Sequence, residues 1–330
     1  MRILGIESSC DDTAAAIVKD GREVLAAERM TSAKLQQQFG GVVPEVAARE
    51  HAMAILPVVQ AVLTACQCAP DDLDAIAVTQ GPGLVGALLV GVTFAKALGQ
   101  AIDRPVIGVH HLEAHLYANA LVAPIQFPAL ALIVSGGHTN LMYWQAHGRL
   151  KMLGQTRDDA AGEALDKGAR LLGLGYPGGP EIERLAATVS HDVPFRLPVA
   201  RIAGDSLDFS FSGLKTATAE RVLAHPDAPC DVAKALQEAV VEALCRNLER
   251  AWLRVPVQHV YLAGGVSANQ RLAECVRQWG KGVGAVIHVP PVEYCTDNAA
   301  MVGACGFYQF QLGSRLPLSQ GPRTSWALGS

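Results

Sequence analysis

The chain has 330 residues, half of them hydrophobic and only 18% charged, with 27 basic residues against 31 acidic ones for a formal net charge of −4. That balance excludes intrinsic disorder, which needs a charge-rich and apolar-poor chain, and the length predicts about two domains with real cores. Aromatic residues make up 5%, so neither a stacking platform nor a basic footprint for nucleic acid is advertised. In chain order, residues 2–8 read as an apolar strand and 13–18 as a second; Asp20-Gly21 then turns the chain into a third at 24–29. Residues 46–66 carry apolar side chains at helical spacing, followed by a strand at 74–79, a glycine turn and a helix at 84–101. A strand at 105–109 and a helix at 112–121 complete this half. Strands alternating with helices predict an α/β fold with a partly parallel sheet. The uncharged stretch 75–95 is split by Gly81-Pro82-Gly83 and closed by Lys96, so a buried strand–turn–helix is expected there and no membrane span. The first residues lack the apolar core of a signal peptide, and eight cysteines show no paired CxxC spacing. Buried thiols in a reducing cytoplasm are therefore expected.

The same plan returns later in the chain. Residues 130–134 form a strand that ends in Ser135-Gly-Gly-His-Thr139, followed by 141–145, a His147-Gly148-Arg149 turn and 152–156. His259-Val-Tyr-Leu-Ala-Gly-Gly-Val266 parallels Asp74-Ala-Ile-Ala-Val-Thr-Gln-Gly81, and Ala285-Val-Ile-His-Val-Pro290 parallels Pro105-Val-Ile-Gly-Val-His110. The expected domains are 1–127 and 128–330, the second with an insertion at about 145–255. Two such α/β halves facing a central cleft, lined by glycine turns and helix N-termini suited to phosphate, are the plan of the actin-like ATPase and sugar-kinase (ASKHA) superfamily.

Within this frame, His111-Leu-Glu-Ala-His115 places two imidazoles on one helix face, able to reach one metal ion. By the internal parallel, Thr296-Asp297-Asn298 opens the matching helix of the second half, so His111, His115 and Asp297 are expected to converge across the cleft. Imidazole and carboxylate suit Fe2+ or Zn2+ equally. A zincin protease needs Glu directly after the first His; Glu113 comes one residue later, about 200° around the helix. Gly81-Pro-Gly-Leu-Val-Gly86 fits the dinucleotide fingerprint in form, but the next strand ends in His110-His111 rather than an acid, which favours a tight turn with close helix packing. Further candidates are the hairpins at Glu7-Ser-Ser-Cys-Asp11-Asp12-Thr13 and Val134-Ser-Gly-Gly-His138-Thr139, Asp166-Lys167, Tyr176-Pro-Gly-Gly-Pro180 and Gly264-Gly-Val-Ser-Ala-Asn269. Phe209-Ser-Phe-Ser-Gly-Leu-Lys-Thr216 reads as a substrate-contacting loop, and Asp158, Asp159 and Glu163 as either a solvated helix start or functional acids.

Taken in order, GIESSCDDT, GGVVPEVAAREH, TQGPGLVGALLVG, GVHHLEAHLYAN, LIVSGGHTNL, DDAAGEALDK, YPGGP, FSFSGLKT, LAGGVSAN and YCTDNAAM make the chain resemble the bacterial tRNA N6-adenosine threonylcarbamoyltransferase family along essentially its whole length. The resemblance implies an acyltransferase that moves threonylcarbamoyl from threonylcarbamoyl-AMP to N6 of adenosine 37 in tRNAs reading codons that begin with A. It implies one divalent ion, Fe2+ or Zn2+, on His111, His115 and Asp297. It also implies that Val134, Ser135, Gly136, Gly137 and His138 line the intermediate's site, with Asp166, Gly179, Glu183 and Asn269 on its nucleotide part. Asp11 is the candidate for positioning or deprotonating the attacking amine. Implied partners are tRNA, a TsaB-like paralogous subunit and a TsaE-like P-loop ATPase, all cytoplasmic. Asp12 stands where the family usually has Glu, and Gly168 where a small hydroxyl residue or alanine is usual. The competing readings are a kinase or ATPase of the same superfamily and a non-catalytic scaffold subunit. The scaffold is disfavoured because the family's inactive partner lacks the metal ligands.

Overall fold

The first strand, β1 (Arg2–Glu7), is apolar on both faces and buried beyond its first residue, as a central strand covered on two sides must be. The computed structural model describes residues 1–32, 35–36 and 42–329, so Gly40 and Gly41 of the GGVVPEVAAREH motif lie outside the described residues. β1 pairs antiparallel with β2 (Asp12–Lys19), which pairs antiparallel with β3 (Glu23–Thr31). On its other side β1 runs parallel to β4 (Ala75–Gly81), and β4 to β5 (Val106–His110). The order is β3-β2-β1-β4-β5. A second sheet repeats this order strand for strand. Here β6 (Ala129–Val134) takes the central place, β7 (Thr139–Ala146) pairs antiparallel with it and β8 (Arg149–Gln155) antiparallel with β7, and on its other side β9 (His259–Ala263) and β10 (Val286–His288) follow in parallel. The neighbours that sequence parallels paired are the strands that share positions.

The connections are helices, as parallel neighbours require. In the first unit, α1 (Pro44–Ala65) joins β3 to β4, α2 (Val85–Ala101) joins β4 to β5, and the short α3 (His111–Tyr117) follows β5 directly. In the second, α4 (Ala161–Leu171), α5 (Gly178–Ala186), α6 (Ser212–Ala224) and α7 (Pro229–Arg254) fill the span between β8 and β9, and α8 (Gln270–Val283) joins β9 to β10. The expected insertion start at 145 is therefore too early. Residues 149–155 are β8, the counterpart of β3, and the added helices begin after it.

Two compact units result: Met1–Ile125 together with Val292–Ser330, and Gln126–Pro291. This departs from the expected 1–127 and 128–330 division, because the C-terminal segment returns to the first unit. Beyond α9 (Val292–Cys295), α10 (Ala299–Gln311) lies on β1, β2 and β4. Ala299 to Gly306 are all buried, and the small residues make the closest approaches to the sheet: Ala299 and Gly303 to Gly5, Gly303 to Val18 and Gly306 to Ala77. The packing leaves no room for a methyl group: a Cβ on Gly306 would stand 2.3 Å from Ala77 Cβ. Among the described residues, α1 is long and apolar enough to cross a membrane. Its Ala47, His51, Ala54, Ile55, Val58, Val59 and Val62 are buried, however, and it packs on β2 and β3 as a core helix does.

Candidate functional site

The metal-type cluster is built at the carboxyl end of β5. His110 closes the strand and caps α3, its Nδ1 accepting from the Leu112 amide at 3.2 Å. The helix therefore starts at His111, and the i, i+4 spacing brings the His111 and His115 rings to 4.7 Å between centroids. Asp297 arrives on the turn before α10, whose first turn is capped by Asn298 accepting from the Met301 amide at 2.8 Å. Asp297 Oδ1 stands 3.5 Å from His111 Nε2 and 3.2 Å from His115 Nε2. Ligands at about 2.1 Å in a tetrahedral set are about 3.4 Å apart, so the donor set fits a single ion. The donor atoms of all three residues lie within 4.8 Å of one another. His115 is buried, its Nδ1 has no hydrogen-bond partner, and its Nε2 faces only the Asp297 carboxylate, an arrangement that suits a ring nitrogen held as a ligand. All three residues belong to the first compact unit. The expectation that Asp297 comes from the other half is corrected, because α10 returns to the first sheet.

Electrostatics favour a cation here. Burial alone would push the His111 imidazole down, but the Glu7 and Asp297 carboxylates outweigh it and hold it at about 9. Burial likewise opposes ionisation of Asp297, and the two imidazoles hold its carboxyl far below the usual range. Nearby, burial pushes Asp12 up to about 6 and raises Asp11, on which the Asp297 charge also acts. Asp12 lies 3.5 Å from Arg29 Nη1, a contact within its short reach. Glu113 does not face the ligands; it accepts from Gln309 Nε2 of α10 at 3.0 Å, as the helix angle requires of a non-zincin spacing.

In the second unit, Val134 ends β6 and residues 135–138 turn tightly into β7, with the Ser135 amide donating to the His138 carbonyl at 2.8 Å. Gly136 and Gly137 are exposed, and a Cβ on either would meet nothing within 4 Å. The N-terminus of α4 abuts this turn through Gly162 N donating to Ser135 O at 3.2 Å. Asp166 on α4 accepts from the Gly178 amide at 2.6 Å, next to Gly179. Glu183 on α5 accepts from Gln270 N at 2.7 Å, next to Asn269, which caps α8 by accepting from Leu272 N at 2.9 Å. The four nucleotide-side candidates are thus linked in neighbouring pairs, and the Asn269 amide is also tied to Gln237 at 2.9 Å.

Other candidates resolve differently. Gly81 sits against the Arg323 carbonyl and Gly83 against Ser9 O, so the glycine run serves close packing rather than a dinucleotide. Phe209 and Phe211 are core residues, and Ser210 and Ser212 bind Asp158 Oδ2 at 2.6 and 2.8 Å. That segment's aromatic and hydroxyl groups are engaged in the fold, and Asp158 is the anchor that holds it. Asp159 and Glu163 pair with Lys167 at 2.7 and 3.0 Å. Gly168 lets α4 approach Leu236, whose Cδ2 would be 2.1 Å from a Cβ there. Sequence reasoning did not single out Glu7 on its own, although an acid closing the apolar run 3–6 of a central strand is a visible signal.

The chain matches the sequence profile of the TsaD family, tRNA N6-adenosine threonylcarbamoyltransferase, over residues 23–304. It belongs to that family. It is 48% identical over 333 residues to the tRNA N6-adenosine threonylcarbamoyltransferase of Anaeromyxobacter dehalogenans (strain 2CP-C), covering 99% of each chain. The enzyme of that name from Moorella thermoacetica (strain ATCC 39073 / JCM 9320) is 49% identical over 324 residues, covering 96% of this chain and 94% of the relative. Among solved structures, component A of the Acidaminococcus fermentans (R)-2-hydroxyglutaryl-CoA dehydratase superposes with a TM-score of 0.57 at 15% identity, over 94% of this chain and 98% of that one. That likeness shows the two-lobed α/β fold class alone. Membership in the TsaD family supports the transferase reading and gives the kinase alternative no support.

Proposed function

We propose that this chain transfers threonylcarbamoyl from threonylcarbamoyl-AMP to N6 of the adenosine beside the anticodon in tRNAs reading codons that begin with A. The observation that carries the reading is the His111–His115–Asp297 constellation in a chain of the TsaD family. These three residues would hold one divalent ion, Fe2+ or Zn2+, since the donor set suits both. Lewis-acid stabilisation of negative charge on the carbamoyl oxygen is the chemistry such an ion supplies.

The remaining work falls to the chain. The turn at residues 134–138, exposed at Gly136 and Gly137, receives the intermediate, and Asp166, Gly179, Glu183 and Asn269 orient its nucleotide part. Asp11 positions the adenine amine and takes its proton as the new N–C bond forms and AMP departs. Burial and the Asp297 charge raise its carboxyl, and a raised carboxyl is the better proton acceptor. A TsaB-like paralogous subunit and a TsaE-like P-loop ATPase complete the assembly. Eight cysteines with no paired CxxC spacing support placing the enzyme in a reducing cytoplasm.

Reconstitution with both partners, threonylcarbamoyl-AMP and tRNA tests the reading directly. Labelled threonine is expected to enter tRNA, and a His111→Ala, His115→Ala double variant is expected to lose at least ~100-fold in transfer, as loss of a Lewis acid entails. Unchanged transfer by the double variant would overturn the metal assignment, and no incorporation by the wild type would overturn the activity.

A further inference from the structure

We propose that Glu7 is a positioning residue for the metal ion, holding His111 in the tautomer that turns Nε2 toward Asp297 and His115. The inference rests on the metal reading of those three residues and adds the group behind them. Glu7 closes β1, whose four residues between Arg2 and Glu7 are all apolar or glycine and buried, and its side chain is 1% exposed. A carboxylate is costly in such a place unless charge and hydrogen bonds compensate it.

The compensation is one-directional. Glu7 Oε1 accepts from the Ser9 amide at 2.7 Å and Oε2 accepts from Thr79 Oγ1 at 2.7 Å. His111 Nδ1 lies 3.0 Å from the same Oε2. An ionised carboxylate only accepts, so the proton between them sits on His111 Nδ1. A bare Nδ1 lone pair would face the carboxylate lone pairs at that distance. The Ser9 hydroxyl, 3.3 Å from Nδ1, is more distant and does not remove this conflict.

A metal bound at Nε2 leaves His111 a neutral ligand, with one N–H. With it fixed on Nδ1, the lone pair is on Nε2, the atom 3.5 Å from Asp297 Oδ1. The carboxylate also makes the ring a better donor, since partial proton sharing at Nδ1 raises the basicity of Nε2. Thr79 on β4 and Ser9 on the first hairpin lock the carboxylate in turn, so three segments of the first unit fix one ring orientation.

The test uses the full chain and the metal alone. Zinc affinity measured by chelator competition is expected to fall ~10–100-fold in Glu7→Gln, the range typical for lost outer-shell partners. Thr79→Val removes a hydrogen bond to the same carboxylate but leaves its charge on His111, and is expected to lower Tm with zinc affinity within ~3-fold of wild type. Equal zinc affinity in Glu7→Gln and wild type, or equal losses in both variants, would overturn the proposal. Nitrogen-15 histidine spectra of the zinc-loaded wild type, assigned with His115→Ala, supply a readout that does not depend on the variant folding. They are expected to show His111 protonated at Nδ1 and metal-shifted at Nε2. The reverse assignment overturns the role of Glu7 and leaves the metal site standing. Absence of stoichiometric zinc or iron binding by the wild type would instead sink the metal reading itself.

Discussion

Glu113 stands between the two histidines in sequence, yet its carboxyl is directed at Gln309 of α10. The angle of a residue two positions along a helix was enough to predict that it leaves the ligand face, and the structure supplies what it does there. Burial raises the carboxyl to about 7, and the single hydrogen bond from Gln309 only partly offsets this. Its folded value therefore lies above its unfolded one, near 4.5. Between those two values the folded state binds the extra proton, so stability falls as pH rises. The contribution is complete below about pH 4.5 and gone above about pH 7. Glu113→Gln keeps an acceptor for Gln309 and cannot ionise. Its Tm should match wild type near pH 4.5 and exceed it by a few degrees at pH 8, a difference on the order of 1–3 kcal/mol. Thermal melts of both proteins across that interval decide it. A constant Tm difference at every pH would mean that the buried carboxyl carries no ionisation penalty.

At the scale of elements, the two hairpin-led sheets were legible in the sequence because each central strand is an apolar run ending in small or polar residues. The helix after β10 was legible too, but its address was not. Asp297 was placed in the second half because α10 follows a strand of that half. What sends it to the first sheet is a face of alanine and glycine, and small residues carry no directional signal until their partner surface is known. The insertion was expected to start at about 145 although 152–156 was itself read as a strand; that strand, β8, pairs with β7 as the counterpart of β3, and the added helices follow it. The α10 face makes a prediction. Gly306→Ala adds a methyl group 2.3 Å from Ala77 Cβ, neither of which has a side chain able to swing away. Overpacking of this kind costs about 1–3 kcal/mol, more than the ~1 kcal/mol of helix propensity that alanine brings. Gly282→Ala on α8 meets nothing within 4 Å and keeps only the favourable part. Calorimetry should show Tm falling for Gly306→Ala and rising for Gly282→Ala; a rise in both would mean that α10 is free to shift on its sheet.

The whole molecule carries a net charge of −4, which argued against nucleic acid before the family was known. Net charge averages over a surface, and a tRNA contact needs only local cations or cations lent by a partner. The case for a partner is apolar rather than charged. Met53 and Leu56 on α1, and Val85 and Leu89 on the adjacent α2, are each more than half exposed. Their exposure was not legible from periodicity, because both helices are apolar around much of their circumference and only the sheet beneath decides which face is buried. Side chains scattered singly on a surface need no explanation, but these are two exposed apolar pairs, at i, i+3 on α1 and i, i+4 on the helix packed against it, and such pairs are candidates for a protein interface. If the TsaB-like subunit proposed above docks on this pair of helices, charges placed there will break the contact. Leu56→Glu with Leu89→Glu places charges at exposed positions, where folding is little affected, and in the middle of that contact, where an unpaired buried charge costs several kcal/mol. The double variant should keep the wild-type Tm and zinc affinity and lose co-elution with the paralogous subunit in size-exclusion chromatography. Co-elution as strong as that of the wild type would place the partner on another face.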